Sequence, residues 1–78
     1  MNPSESLKAI EFEFYRAAEL YPKFHSNHEG YAVILEEVEE LWDEIKKSKD
    51  VVLNDAMKHE LIQIAAMAVR MLNDCSPK

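Results

Sequence analysis

The chain has 78 residues, with 15 Asp and Glu against nine Lys and Arg, and a formal net charge of −6. A chain of this length forms one domain, residues 1–78, whose small core usually needs a metal or a partner chain for support. The negative charge argues against binding to a nucleic acid polymer, which requires a basic surface. The single cysteine excludes an intrachain disulfide, and no apolar run is long enough to span a membrane, so we expect a cytoplasmic protein.

The first predicted helix spans about residues 3–21. Asn2 is the predicted N-cap, Pro3 and Glu5 follow it in a capping-box-like pattern, and Pro22 ends the helix. The residues at helical spacing that should face the core are Leu7, Ile10, Phe14, Ala17, Ala18 and Tyr21. Phe12 and Tyr15 lie outside this stripe, which indicates either a second buried surface, such as a subunit interface, or simple exposure.

The second predicted helix spans about residues 27–48 and begins with a capping box. The Ser26 side chain is positioned to accept a hydrogen bond from a backbone N–H of the first turn, and the Glu29 side chain is positioned to accept one from the backbone N–H of Ser26. Gly30, the only glycine, falls in the first turn, where it costs up to about 1 kcal/mol relative to Ala. Either this end of the helix is irregular, or another part of the chain lies close to its backbone.

The second helix is amphipathic, with its acids gathered opposite an apolar side. The apolar side consists of Tyr31, Ile34, Leu35, Val38, Leu41, Trp42 and Ile45. Residues three and four apart share a helix face, so Glu37, Glu40 and Glu44 form a column beside the apolar side. Such a column is either an ordinary solvated face or a site for a divalent cation, which would offset the repulsion between the carboxylates.

The third predicted helix spans about residues 54–74, with Asn54 or Asp55 as its cap. Its short link to the second helix favours an antiparallel pair. Glu60 lies within the apolar arc, where a carboxylate is costly to bury unless it is paired or bound to a metal. Alternatively, the Glu60 carboxylate forms an ion pair with an Arg or Lys, or it lies at an edge of the apolar arc that water reaches. Carboxylate oxygens from the two helices, if they meet, would suit Mg²⁺. The residues predicted on the polar side are His59, Gln63, Arg70 and Asp74.

The acidic residues of these two helices resemble a known motif. Glu36-Glu37-Val38-Glu39-Glu40, followed by Glu60-Leu61-Ile62-Gln63, is similar to the paired acidic motif of MazG-like all-α nucleoside triphosphate pyrophosphohydrolases. The resemblance covers roughly residues 28–73. It implies an all-α, three-helix chain that forms a helical bundle by oligomerisation, as a homodimer or homotetramer. It also implies Mg²⁺-dependent cleavage of a nucleoside triphosphate between the α and β phosphates, giving monophosphate and pyrophosphate.

The resemblance assigns a role to each matching acid. It makes Glu37, Glu40 and Glu60 metal ligands, and Glu36 a further ligand or the base that orients the attacking water. A metal would offset the triphosphate charge, while a carboxylate positions the water. The sequence leaves the base and sugar open, because Phe24, Tyr31 and Trp42 are all candidates to stack on a base. Tyr31 and Trp42, however, lie on the apolar side and fit a core role better.

Gln63 departs from the motif, since the family has Asp at this position. An amide oxygen coordinates weakly and carries no charge, so metal affinity should fall and hydrolysis should be slow or absent; Asp43 or Glu44 would have to compensate. This departure favours an alternative function, a catalytically weakened MazG-like module that binds a nucleotide or a protein without hydrolysis. A third interpretation is an acidic helical adaptor without a metal, in which Phe12, Tyr15 and Trp42 contact a partner. The residues that would be either phosphate contacts or ordinary surface charges are Lys46, Lys47 and Arg70.

Overall fold

The computed structural model describes residues 1–77 and shows an all-α fold, with no strand in that range. Helix α1 spans Pro3–Leu20, α2 spans Asn27–Lys47 and α3 spans Asp55–Asp74. The helix ends agree with the predicted ones to within one residue, because capping residues and Pro22 set them locally. Lys78, the last residue of the predicted domain, lies outside the described residues.

Side-chain caps begin α1 and α3. The Glu5 backbone N–H donates to Asn2 Oδ1 at 2.9 Å, and the Asn2 N–H donates to Glu5 Oε1 at 3.3 Å, which is a capping box. In α3 the Met57 N–H donates to Asn54 Oδ1 at 2.9 Å. Asn54, rather than Asp55, is therefore the N-cap of α3.

The start of α2 combines a side-chain cap with a close helix contact. The Glu29 N–H donates to Ser26 Oγ at 3.1 Å, whereas the Glu29 carboxylate accepts from the His25 N–H at 3.2 Å. Glu29 thus reaches one residue further back than the predicted capping box requires. Gly30 lies inside a regular helix and is buried against Met71 of α3. Of the two explanations for this glycine, close packing is confirmed.

Helix α3 lies between α1 and α2 and packs against both of them. Helices α1 and α3 run parallel, since Tyr21 at the end of α1 lies beside Arg70 near the end of α3. Helix α2 runs antiparallel to α3, since Gly30 in its first turn contacts Met71 in the last turns of α3. This arrangement confirms the predicted antiparallel pair and places the middle of α2 beside the first half of α3.

The core is small and occupies the end of the molecule where the α1–α2 connection crosses α3. Its buried residues are Ala17, Phe24, Ala66 and Met67, and those packed around them are Phe14, Val33, Ile34, Met71 and Cys75. Ala66 is fully buried, so a small side chain allows the neighbouring helix to approach α3 closely. No large side chain among residues 1–77 is fully buried. The helices therefore cover one another only along narrow strips.

The predicted apolar stripes of α1 and α2 are wrong in part. On α1, Leu7, Ala18 and Tyr21 are exposed, and the buried face passes through Glu13 and Ala17. On α2, the exposed apolar residues are Tyr31, Leu35, Val38, Trp42 and Ile45. The physical reason is that each of these helices has one neighbour, so the strip it buries is narrower than its apolar arc. Phe12 and Tyr15 are also exposed.

The predicted polar side of α3 is wrong in part for a related reason, although His59 is exposed as predicted. Arg70 is only 4% exposed, while Gln63 and Asp74 are half-buried. Because α3 has neighbours on two sides, its buried arc is wide enough to include residues opposite the apolar stripe. Asp74 accepts a hydrogen bond from the Phe24 N–H at 3.0 Å and so attaches the α1–α2 connection to α3.

The three helices form an elongated body of 44 × 26 × 19 Å with a radius of gyration of 13.4 Å. A compact domain of this length has a radius of gyration of about 11.5 Å. Within residues 1–77, none of the helices is apolar over enough of its length to cross a membrane. The elongation follows from placing three helices side by side in one layer.

Candidate functional site

Three carboxylates from facing helices meet beside the middle of α2. Glu37 and Glu40 lie one turn apart on α2, and Glu60 extends towards them from the first half of α3. One carboxylate oxygen from each of the three residues lies within 4.8 Å of the other two. We call this group the carboxylate cluster. It brings together all three acids that the sequence predicted as metal ligands.

The Glu60 carboxylate has an oxygen that the protein leaves unsatisfied. Glu60 Oε2 is inaccessible to solvent and has no hydrogen-bond partner within residues 1–77. Neither predicted alternative, a pair with a cation or a hydrated edge, is present at this oxygen. A buried polar atom without a partner is costly, and such atoms often mark the place of an ion or water. The three carboxylates of the cluster form a donor set that suits a hard divalent cation.

The electrostatics of the cluster follow from its crowded negative charges. Partial burial, reinforced by the neighbouring carboxyls of Glu60 and Glu40, raises the pKa of Glu37 to about 7. The pKa of Glu40 is also raised, by desolvation first and then by Glu60 and Glu36. The Glu37 carboxyl is therefore partly protonated near neutral pH unless a cation compensates the charge around it.

The other predicted site residues lie outside the cluster. Glu36 is exposed on α2, although it is near enough for its charge to raise the pKa of Glu40. Glu44 is half-buried and forms an ion pair with Lys47, with 2.9 Å between Oε1 and Nζ. Gln63 follows Glu60 by one helical turn and lies beside Glu13 of α1. Glu44 is thus paired with Lys47 and is not among the three converging acids, so its compensation for Gln63 stays a prediction.

Glu13 is a buried acid that the sequence interpretation missed. It is 6% exposed, and both of its carboxylate oxygens accept from Arg16 Nε, at 2.6 and 3.0 Å. Burial alone would raise the pKa of Glu13, but the bonds to Arg16, the contact with Gln63 and the charge of His59 outweigh it and lower the pKa. The sequence signal was Arg16, three residues after Glu13 and next to the buried Ala17.

A cleft of about 330 Å³ opens where α1, its connection to α2 and α3 meet. Its lining combines aromatic and apolar side chains with two arginines and two acids: Arg16, Ala17, Tyr21, Pro22, Phe24, Glu29, Val33, Glu37, Gln63, Met67 and Arg70. Glu37 belongs both to this lining and to the carboxylate cluster. A ligand bound to the cluster can therefore extend into the cleft.

Arg70 forms part of the cleft wall and holds it together. Its Nη2 donates to the Pro22 carbonyl oxygen at 2.9 Å, and its Cζ lies 4.4 Å from the centre of the Phe24 ring. No carboxylate within residues 1–77 forms an ion pair with this guanidinium. Lys46 and Lys47, the other candidate phosphate contacts, are exposed and pair with acids of their own helix.

Of the three candidate stacking residues, only Phe24 lies at the cleft. It is buried beneath the Arg70 guanidinium and lines the cleft wall. Tyr31 and Trp42, which the sequence interpretation assigned to the core, are instead 62% and 56% exposed. They lie on the side of α2 that α3 does not cover.

Comparisons with known proteins do not identify a family for this chain. No family model matches the sequence, and neither a curated protein nor a solved structure is significantly similar to it. The chemistry proposed for the site rests on its own residues and on the resemblance of its acidic pattern.

Proposed function

We propose that this chain is a Mg²⁺-dependent pyrophosphohydrolase of the MazG-like type, which converts a nucleoside or deoxynucleoside triphosphate into its monophosphate and pyrophosphate. The observation that carries the proposal is the unsatisfied oxygen of Glu60, whose carboxylate has an oxygen within 4.8 Å of oxygens of two further carboxylates. Mg²⁺ takes oxygen ligands and usually bridges protein carboxylates to substrate phosphates. The cluster offers such ligands beside a cleft of ligand size.

In this proposal Glu37, Glu40 and Glu60 hold the ion. When bound, Mg²⁺ supplies charge neutralisation at the triphosphate and polarises the phosphoryl group that is attacked. Glu36 is the water-orienting base, because it adjoins the cluster along α2 but is exposed and is not among the converging ligands. A carboxylate in that position can accept a proton from the attacking water.

The cleft supports a ligand that has an organic part as well as phosphates. Its volume of about 330 Å³ falls within the range of small-molecule sites, which are mostly apolar with a few polar groups. Glu37 joins the cleft to the cluster, and Phe24, Val33 and Met67 supply apolar surface. We therefore assign the sugar and base to the cleft and the triphosphate to the cluster.

Gln63 favours a second candidate function. It lines the cleft together with Glu37 but brings no negative charge, so the cluster has three carboxylates and lacks the aspartate that ends the motif. The alternative is a MazG-like module that binds a nucleotide, or a protein, without hydrolysing it. Both candidates predict metal binding, and they differ only in product formation.

A homodimer or homotetramer located in the cytoplasm belongs to the same proposal. The free Cys75 and a nucleotide substrate are both typical of a reducing, intracellular setting. A second copy would add the buried surface that the single layer of helices lacks.

The proposal is tested by thermal unfolding with and without millimolar Mg²⁺. The measurement is repeated with mixed nucleoside triphosphates, and pyrophosphate is assayed in the same samples. A ligand present at a hundred times its Kd stabilises the folded state by about 2.7 kcal/mol. We expect Mg²⁺ to raise the Tm of the wild type, but not of Glu37→Gln or Glu60→Gln. Glu39→Gln is the matched control, because it removes an exposed acid of the same helix outside the cluster.

The outcomes separate the candidates. A Mg²⁺-dependent shift with pyrophosphate release supports the enzyme, and the same shift without pyrophosphate supports the binding module. An equal shift in the wild type and in both cluster variants would contradict the site assignment. No shift at all would favour the metal-free adaptor.

A further inference from the structure

Helix α2 carries an exposed row of apolar residues on a flank that α3 leaves uncovered. We call this row the α2 seam; it consists of Tyr31, Leu35, Val38, Trp42 and Ile45, each between 39% and 62% exposed. The residues alternate four and three apart, the spacing with which one helix contacts another along its whole length. At 1.5 Å per residue the seam is about 21 Å long.

Charged residues interrupt the exposed apolar surface of α1. Phe12 and Tyr15 are exposed there, but the positions one turn before and after them on the same face are Lys8 and Glu19, both of them also exposed. A helix seam needs apolar residues over several turns. Helix α2 offers such a seam towards solvent, and α1 does not.

The chain exposes more surface than a compact monomer of its mass, and the excess is about the area that each partner buries in a stable dimer. The accessible surface is 5944 Å², whereas a compact monomer of 9.1 kDa exposes about 4,900 Å². The difference is roughly 1,000 Å², and a standard interface buries about 800 Å² on each partner. A second copy would thus bring the surface of each chain down to the normal value for its mass.

We propose that the α2 seam is the two-fold interface of a homodimer, in which α2 packs antiparallel against α2 of a second copy with Val38 at the axis. A symmetric interface uses the same surface on both copies, and a row centred on one residue meets this requirement. The interface specifies the proposed homo-oligomer, but it depends on neither metal binding nor hydrolysis. Its test measures self-association, so either proposal can fail without the other.

The charges at the ends of α2 support the antiparallel orientation. Lys46 and Lys47 occupy the last turn, and Glu29 occupies the first. With Val38 at the axis, the end of α2 that carries Lys46 and Lys47 in one copy lies beside the end that carries Glu29 in the other, and the two helix dipoles oppose each other favourably. A parallel alignment would instead place the lysines of one copy against the same lysines of the other.

Light scattering coupled to size-exclusion chromatography tests the dimer. At tens of micromolar we expect the wild type to have a mass of about 18 kDa, or twice that for a pair of dimers, as two or four 9.1 kDa chains require. Trp42 is the only tryptophan and lies in the seam, so its emission should shift to shorter wavelength as the chains associate on concentration. A 9.1 kDa wild type would overturn the proposal.

Two variants locate the interface. Leu35→Lys combined with Val38→Lys should give a 9.1 kDa species that keeps its helical circular dichroism, because both side chains are already exposed in the single chain. Tyr15→Lys changes an exposed aromatic of α1 and should leave the dimer unchanged. If the double variant stays dimeric while Tyr15→Lys dissociates, the seam is not the interface.

Disulfide trapping in a Cys75→Ser background establishes the orientation. In the Val38→Cys variant, the two chains of the dimer should cross-link through residue 38 under mild oxidation, whereas the Tyr15→Cys variant should not cross-link. Tyr31→Cys and Ile45→Cys should cross-link when the two variants are mixed, but neither should do so alone, because residues 31 and 45 are equally far from Val38. Self-cross-linking of Ile45→Cys, or failure of Val38→Cys, would overturn the antiparallel interface.

Discussion

Gly30 of α2 packs against the side chain of Met71 of α3 so closely that a Cβ at Gly30 would lie 2.9 Å from both Cγ and Sδ of Met71. Phe24 Cδ2 would lie 3.4 Å from the same Cβ. Distances of 2.9 Å are too short for carbon contacts, so any larger residue forces Met71 to move. The glycine therefore leaves room for the Met71 side chain at the end of the helix pair that adjoins the cleft.

Replacing Gly30 should destabilise the protein despite the better helix propensity of alanine. Gly30→Ala gains up to about 1 kcal/mol in propensity, but overpacking against Met71 costs about 1–3 kcal/mol. We expect a net loss of about 1 kcal/mol, measured by urea unfolding. In a Met71→Ala background the clash disappears, so the same substitution should stabilise the protein. The interpretation fails if the sign is the same in both backgrounds.

The carboxylate cluster should make the metal-free protein less stable as the pH rises. The pKa of Glu37 is raised from 4.5 to about 7 in the folded state, so the folded state binds the proton more tightly than the unfolded state does. The stability that Glu37 contributes by binding this proton is fully present below about pH 4.5 and is lost as the pH rises through about 7. Glu37→Gln mimics the protonated side chain and lacks this pH dependence.

Without divalent cations, Glu37→Gln and the wild type should therefore have similar stability near pH 4, and the variant should be more stable at pH 8. Thermal unfolding in the presence of a chelator measures the difference between the two proteins. Taking the difference cancels the titration of acids that Glu37 does not contact, such as Glu13, whose lowered pKa acts in the opposite direction. A constant difference across this pH range would show that Glu37 titrates normally.

Gln63 should decide whether the site hydrolyses its ligand. Gln63→Asp adds an acid one helical turn from Glu60, beside the cleft, and so should raise Mg²⁺ affinity and pyrophosphate release. It also places a negative charge beside the buried Glu13 carboxylate, so the metal-free variant should be less stable than the wild type. Gln63→Asn, which keeps the amide, is the control. If an inactive wild type gains no activity from the aspartate, then Gln63 is not what prevents hydrolysis.

Arg70 should contribute to stability through the connection between α1 and α2. Arg70→Met preserves much of the side-chain volume but removes the hydrogen bond to Pro22 and the contact with the Phe24 ring. A buried cation–π contact and a charged hydrogen bond together suggest a loss of about 2 kcal/mol in urea unfolding. Lys46→Met removes an exposed lysine 5.9 Å from the Trp42 ring and should change stability by less than about 0.5 kcal/mol.

Local features of the sequence predicted the helices and much of the cluster. Caps such as Asn2 and Asn54 act on the adjoining turn, so the helix ends could be placed to within a residue. The spacing of Glu37 and Glu40 fixes them on one face of α2, and a short link brings α3 alongside. That Glu60 meets them was therefore predictable. Their binding of Mg²⁺ stays a prediction.

Only the tertiary structure decided which part of each helix is buried. Periodicity finds an apolar arc, but the number of neighbours sets the width of the buried strip, so Trp42 and Tyr31 are exposed although they lie on that arc. The central position of α3 buries Arg70, and the parallel approach of α1 buries Glu13. Burial of charged side chains depends on contacts between distant segments, which the spacing of residues along one helix does not show. Sequence spacing specifies which residues lie on the same face of a helix, whereas packing specifies what that face contacts.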